Sequence, residues 1–128
     1  VIDFRNLQLK RTPNQYLVAP QGFATATPHR QSPEFPWPAA ELARRFRAVA
    51  IAEPRVTPLA EAAGGLQFEL VQRSALFRFP DTISVEVLPL AEARSTLAIY
   101  SRSRYGHSDF GVNRKRIDRW LARLDETR

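Results

Sequence analysis

The chain contains no cysteine and no methionine, and only two histidines, His29 and His107. Without thiols there is no disulfide and no thiolate metal site. Two imidazoles are too few for a histidine-rich site, so no metal and no cofactor is expected. There are five glycines, and they form no phosphate-binding loop; a zinc-protease helix and a calcium loop are also missing. No Gly-x-Ser-x-Gly elbow occurs. No apolar run approaches the roughly 18 residues that suggest a membrane span. The opening residues Val1-Ile2-Asp3-Phe4-Arg5 lack the basic start and long apolar stretch of a signal peptide. The expected compartment is the cytoplasm, or the periplasm if an N-terminal segment was trimmed.

What is present fits one globular domain over residues 1–128, with 44% hydrophobic and 25% charged residues. A chain of this length buries roughly two thirds of its unfolded surface. The net charge is +6, and residues 94–128 hold nine basic and four acidic groups, an excess of five. A basic end of this kind attracts anionic partners. Equally, only Lys10 and Lys115 are lysines among the 19 cations, a bias that genome composition explains, and solvated arginine on a helix face is ordinary.

Prolines 13, 20, 28, 33, 36 and 38 interrupt helices and ladders alike. Residues 1–37 are therefore expected as a long irregular arm, and its Leu7, Leu9, Tyr16, Leu17, Val18, Phe23 and Phe35 drape it on the core. A helix is expected from Pro38 to Glu53, with Leu42, Phe46, Val49 and Ala50 at helical spacing. Pro54 stops it. Four strands follow: a short one near Arg55 to Ala60, then Leu66 to about Ser74 after a Gly64-Gly65 turn, Ile83 to Val87, and Arg94 to Arg102. Alternation of period two gives each a buried and a wet face. A last helix runs from about Phe110 to Asp125, with Asp109 as its N-cap and Asn113, Ile117, Trp120, Leu121 and Leu124 on one stripe. The expected fold class is α+β, in the order α-β-β-β-β-α: a four-stranded antiparallel sheet with both helices on one face.

The densest polar cluster runs from Tyr100 to Asp109. The start of the last helix offers unpaired amides and the positive end of a dipole. Arg102 and Arg104 beside it could grip a phosphate or carboxylate. Alternatively, these arginines pair with Asp109, Glu69 or Glu86 across the sheet. His107, Ser108 and Asp109 are the residue types of a hydrolase triad, but consecutive residues rarely converge as one. In Leu76-Phe77-Arg78-Phe79-Pro80 the aromatics either line a ligand pocket or cap the end of the core. Arg73 is placed to neutralise nearby carboxylates.

Several segments are similar to a known family. Val71-Gln72-Arg73-Ser74, Phe77-Arg78-Phe79-Pro80-Asp81, Ser101-Arg102-Ser103-Arg104-Tyr105-Gly106 and the stretch Ser108 to Ile117 resemble the bacterial family called domain of unknown function 1499, as does the early Pro13-Asn14. The resemblance covers about Pro13 to Leu124. It marks Arg102, Arg104, Gly106, Asp109, Gly111, Asn113 and Arg116 and implies no activity. Many relatives carry a cysteine pair near the early Pro-Asn, which this chain lacks.

The first functional expectation is a small binding module that holds an anionic or amphiphilic ligand near Arg102, Arg104, Tyr105, His107, Asp109, Asn113, Arg116, Arg73 and Arg78. The alternative is a hydrolase-like enzyme working around His107 and Asp109. Nucleic-acid binding is a third option, which the basic end favours and the lack of any known motif opposes.

Overall fold

The period-two segments in the second half of the chain do form strands, and they recruit two more from the arm. In the computed structural model, which describes residues 1–106 and 110–128, the elements are β1 (Gln15–Ala19), β2 (Arg30–Gln31), α1 (Ala39–Ile51), β3 (Val56–Ala62), β4 (Gln67–Arg73), β5 (Pro80–Ala91), β6 (Arg94–Ser103) and α2 (Val112–Asp125). Single turns of 3₁₀ helix lie at Phe4–Asn6 and Ala63–Gly65.

The α+β class holds, but the sheet is six-stranded and mixed, in the order β2-β1-β6-β5-β4-β3. This corrects the expected four-stranded antiparallel sheet. Strands β3 to β6 form an antiparallel meander. The supposed irregular arm supplies β1, antiparallel to β6 from Gln15 opposite Arg102 to Val18 opposite Ile99. It also supplies the two-residue β2, parallel to β1. Every residue of β1 is buried. A strand covered on both faces has no polar alternation to betray it.

Helix α1 follows Pro38 and sends Leu42, Ala43, Phe46 and Ala50 inward. Helix α2 sends Asn113, Arg116, Ile117, Trp120, Leu121 and Leu124 inward. Both pack on one face of the sheet, against Tyr16, Val18, Phe68, Leu70, Ile83, Val85 and Ile99. The opposite face is covered by the first residues of the chain, where Phe4, Leu17, Ala19, Ala98 and Tyr100 form a second cluster, flanked by Ile2, Leu7, Leu9 and Phe23. Fully burying a side chain the size of Phe4 or Leu17 stabilises by about 1.5–3 kcal/mol.

The alternation of β6 decides which side chain reaches which layer. Leu97, Ile99, Ser101 and Ser103 face the helices; Ala98, Tyr100 and Arg102 face the arm. At the far edge, β3 carries Pro58 and a register shift between Pro58 and Ala60.

Candidate functional site at the corner between the sheet and the last helix

Strand β4 ends, β5 begins, β6 ends and α2 begins at one end of the sheet. The 74–79 connection and the segment leading from β6 into α2 therefore share a corner. The expected start of α2 at about Phe110 is corrected to Val112, with Gly111 at the cap position at φ +79°, while the expected cap Asp109 lies outside the described residues. Only glycine occupies that left-handed region without strain.

Beneath the corner lies a buried polar network. The Arg116 guanidinium donates to Gln72 Oε1 at 2.5 Å, Asn113 Oδ1 at 2.7 Å and Ser101 Oγ at 3.0 Å. It also pairs with Asp81 Oδ2 at 2.7 Å. Ser101 Oγ donates to Asn113 Oδ1 at 2.6 Å, and the Asn113 amide donates to Ser103 Oγ at 3.0 Å and to the Asn14 carbonyl at 3.3 Å. Asn14 in turn donates to the Gly106 carbonyl at 2.8 Å. A buried charge is tolerable when its pairing is this complete.

Above the network is an open hollow of about 370 Å³. Its polar lining includes four arginines, Arg55, Arg73, Arg116 and Arg119, with Gln72, Ser74, Ser103 and one carboxylate, Asp81. Phe79, Tyr105 and Val112 supply its apolar wall. The Asp81 charge is met by Arg116, and Arg119 pairs with Glu53 at 3.2 Å. Arg55 and Arg73 donate only to backbone carbonyls, of Arg73 at 2.9 Å and Arg78 at 3.0 Å. Among the described residues no carboxylate lies within ion-pair distance of either. Among the described residues, Arg55 and Arg73 thus bring positive charge to the hollow without a carboxylate partner.

Backbone strain gathers here too. Among the described residues the non-glycine positions with positive φ are Arg55, Ala63, Arg78 and Phe110. Three of the four bracket this corner. Each such residue costs of order 1–3 kcal/mol unless its surroundings hold it, and strain of this kind clusters at functional sites.

The expected site residues divide. Arg73, Tyr105 and Arg116 meet at the hollow, with Asn113 behind Arg116. Arg102 lies on the arm face. It stacks over the Tyr100 ring at 4.8 Å and donates to Ser84 Oγ at 2.7 Å, while Ser84 donates to Glu69 Oε2 at 2.6 Å. Burial pushes the Arg102 guanidinium below its ordinary value, and the Glu69 carboxylate opposes that shift. Arg104 follows Arg102 to that face and donates to Thr82 Oγ1 at 3.2 Å. The sheet thus separates Arg102 and Arg104 from Arg116. Arg78 sits in the exposed 74–79 connection. His107, Ser108 and Asp109 lie outside the described residues, so the hydrolase-like grouping has no geometry to report.

Sequence reasoning missed Arg55, Gln72, Asp81, Ser103 and Arg119. A usable signal did exist: Asn113 and Arg116 interrupt the apolar stripe of α2, and polar groups placed there need partners on the sheet. Among the described residues no group of three His, Asp or Glu side chains is placed to hold a metal ion. No described helix is long and apolar enough to cross a membrane. No curated protein and no solved structure matches the chain. The model of a family described as "protein of unknown function (DUF1499)" matches residues 8–124.

Proposed function

Because the chain belongs to the DUF1499 family, whose description carries no activity, its role must be read from the corner, and we propose that it is a binding module for a small amphiphilic anion. The anionic head occupies the hollow beside Arg55, Arg73 and Arg119, and the apolar portion lies along Phe79, Tyr105 and Val112. The observation that carries this reading is the presence of Arg55 and Arg73 on a concave surface without a carboxylate partner among the described residues. Guanidinium groups present a planar fork that matches phosphate and carboxylate oxygens. A volume of about 370 Å³ suits a small ligand.

The test is thermal denaturation with octyl phosphate, octanoate, glycerol 3-phosphate and octyl glucoside. Ligand at a hundred times its dissociation constant adds about 2.7 kcal/mol, which raises Tm by several degrees in a domain of this size. Octyl phosphate is expected to stabilise most and octyl glucoside least. The shift is expected to vanish in Arg55→Ala/Arg73→Ala. Equal response of that variant and the parent, or no shift with any anion at millimolar concentration, overturns the reading.

A further inference from the structure

The hollow is not the most conspicuous feature of the corner; its rim is. Leu76 is 80% exposed, Phe77 68%, Tyr105 63% and Phe110 89%. Sequence reading allowed that Phe77 and Phe79 cap the core, and they do not. Phe77 stacks on Phe79 at 5.5 Å, and Phe79 lies 6.0 Å from Tyr105. These aromatic rings brace one another at the surface.

From this rim we infer a docking surface for the interface of an anionic phospholipid bilayer. Three observations point to a bilayer as the occupant. First, the apolar side chains project from a connection, residues 74–79, and from the approach to α2. They protrude into solvent, as insertion into a soft interface requires. Second, cations accompany them in the chain: Arg78 lies between Phe77 and Phe79, and exposed Lys115 follows Phe110 on the first turn of α2. Aromatic rings settle at headgroup depth, and neighbouring Arg and Lys side chains reach up to lipid phosphates. Third, the sign is right, because Arg55 and Arg73 in the hollow behind the rim have no carboxylate partner among the described residues. Each cation near an anionic leaflet adds to attachment. The rim would dock whether or not the hollow takes a headgroup, so the inference goes beyond the proposed function, although it shares the charge of Arg55 and Arg73 with it.

The experiment is co-sedimentation of the full chain with sucrose-loaded vesicles of phosphatidylcholine alone or with about one quarter phosphatidylglycerol, an anionic content that gives a strong surface potential. Binding is expected to the anionic vesicles and to weaken as salt screens it. Leu76→Ser/Phe77→Ser, at two rim residues outside the hollow's lining, is expected to bind about tenfold more weakly, since it removes inserting area, while its melting temperature stays at the parent value. Phe77→Trp supplies a direct reading. Both native tryptophans are buried, so a blue shift of the added emission on anionic vesicles reports insertion at this loop. Absence of binding at low salt, or binding that the double serine variant leaves unchanged, overturns the inference. So does a Phe77→Trp blue shift with an acidic protein but not with vesicles. Loss of vesicle binding in Leu76→Ser/Phe77→Ser, together with binding that is only weakened in Arg55→Ala/Arg73→Ala, supports docking even if the hollow proves empty of lipid.

Discussion

Arg116 is 6% exposed and sits on the apolar stripe of a helix. It is held there by oxygens from Gln72, Asp81, Ser101 and Asn113. Removing one partner of a buried pair leaves the other charge stranded, at a cost of about 3–5 kcal/mol. Asp81→Asn is therefore expected to lower stability by that order in urea denaturation. The paired replacement Arg116→Met/Asp81→Leu is expected to recover much of the loss. If Asp81→Asn costs under about 1 kcal/mol, the range of an exposed pair, the network is not structural. A second residue-level prediction concerns His29. Its Nδ1 accepts from the Leu17 amide at 2.9 Å, and its ring stacks on Tyr16 at 5.7 Å. Burial pushes the imidazole below its ordinary value. The unfolded chain thus takes up the proton first. The stability contributed is fully present above the unfolded value of about 6.5 and is lost as pH falls below it. His29→Asn keeps an acceptor near the Nδ1 position and removes the titration. Its Tm is expected to fall less than that of the parent between about pH 7 and pH 5; identical slopes would rule the linkage out.

At the scale of elements, α2 starts from a left-handed backbone position at Gly111. Gly111 has φ +79°, and a Cβ placed there meets only Lys115 Cε at 3.9 Å. Gly111→Ala is therefore expected to lose about 1 kcal/mol through backbone strain alone. Gly111→Asn is expected to lose less, because asparagine tolerates the left-handed region. Comparison of urea midpoints at constant slope checks both. Legibility in the sequence followed the same division between pattern and context. The helices were readable because each has one wet face and one dry face, and strands β4 to β6 because polar and apolar residues alternate along them, although the chain's first residues cover the polar side. Strand β1 was not, because Gln15 to Ala19 is buried on both sides and lies between prolines. Strand β2 has two exposed residues, too few for any period. The site was half readable. Asn113 and Arg116 stood out against an apolar stripe, whereas Gln72, Asp81 and Ser103 look like ordinary strand residues until the register sets them around the guanidinium. Arg102 and Arg104 drew attention by composition, yet strand parity sends them to the arm face.

For the whole molecule, the decisive feature is a sheet with a core on each side. One core is roofed by helices and the other by the chain's first residues. Strand β6 belongs to both, so the layers are expected to unfold together. Leu17→Ala, on the arm side, and Leu121→Ala, on the helix side, remove side chains that are almost fully buried. Each is expected to cost about 2–5 kcal/mol, and both are expected to shift one common transition in near- and far-ultraviolet circular dichroism. A separate early transition in Leu17→Ala would show that the arm is a detachable cover.

Such a sheet ends in two borders, and both are poor templates for another strand. One is only two residues long at Arg30–Gln31. The other is broken at Pro58, which lacks an amide hydrogen, by the register shift before Ala60. Short, kinked or proline-bearing margins discourage self-templated growth into fibrils. The chain can therefore hold an apolar, aromatic rim open to solvent without also offering its backbone ladder to its neighbours.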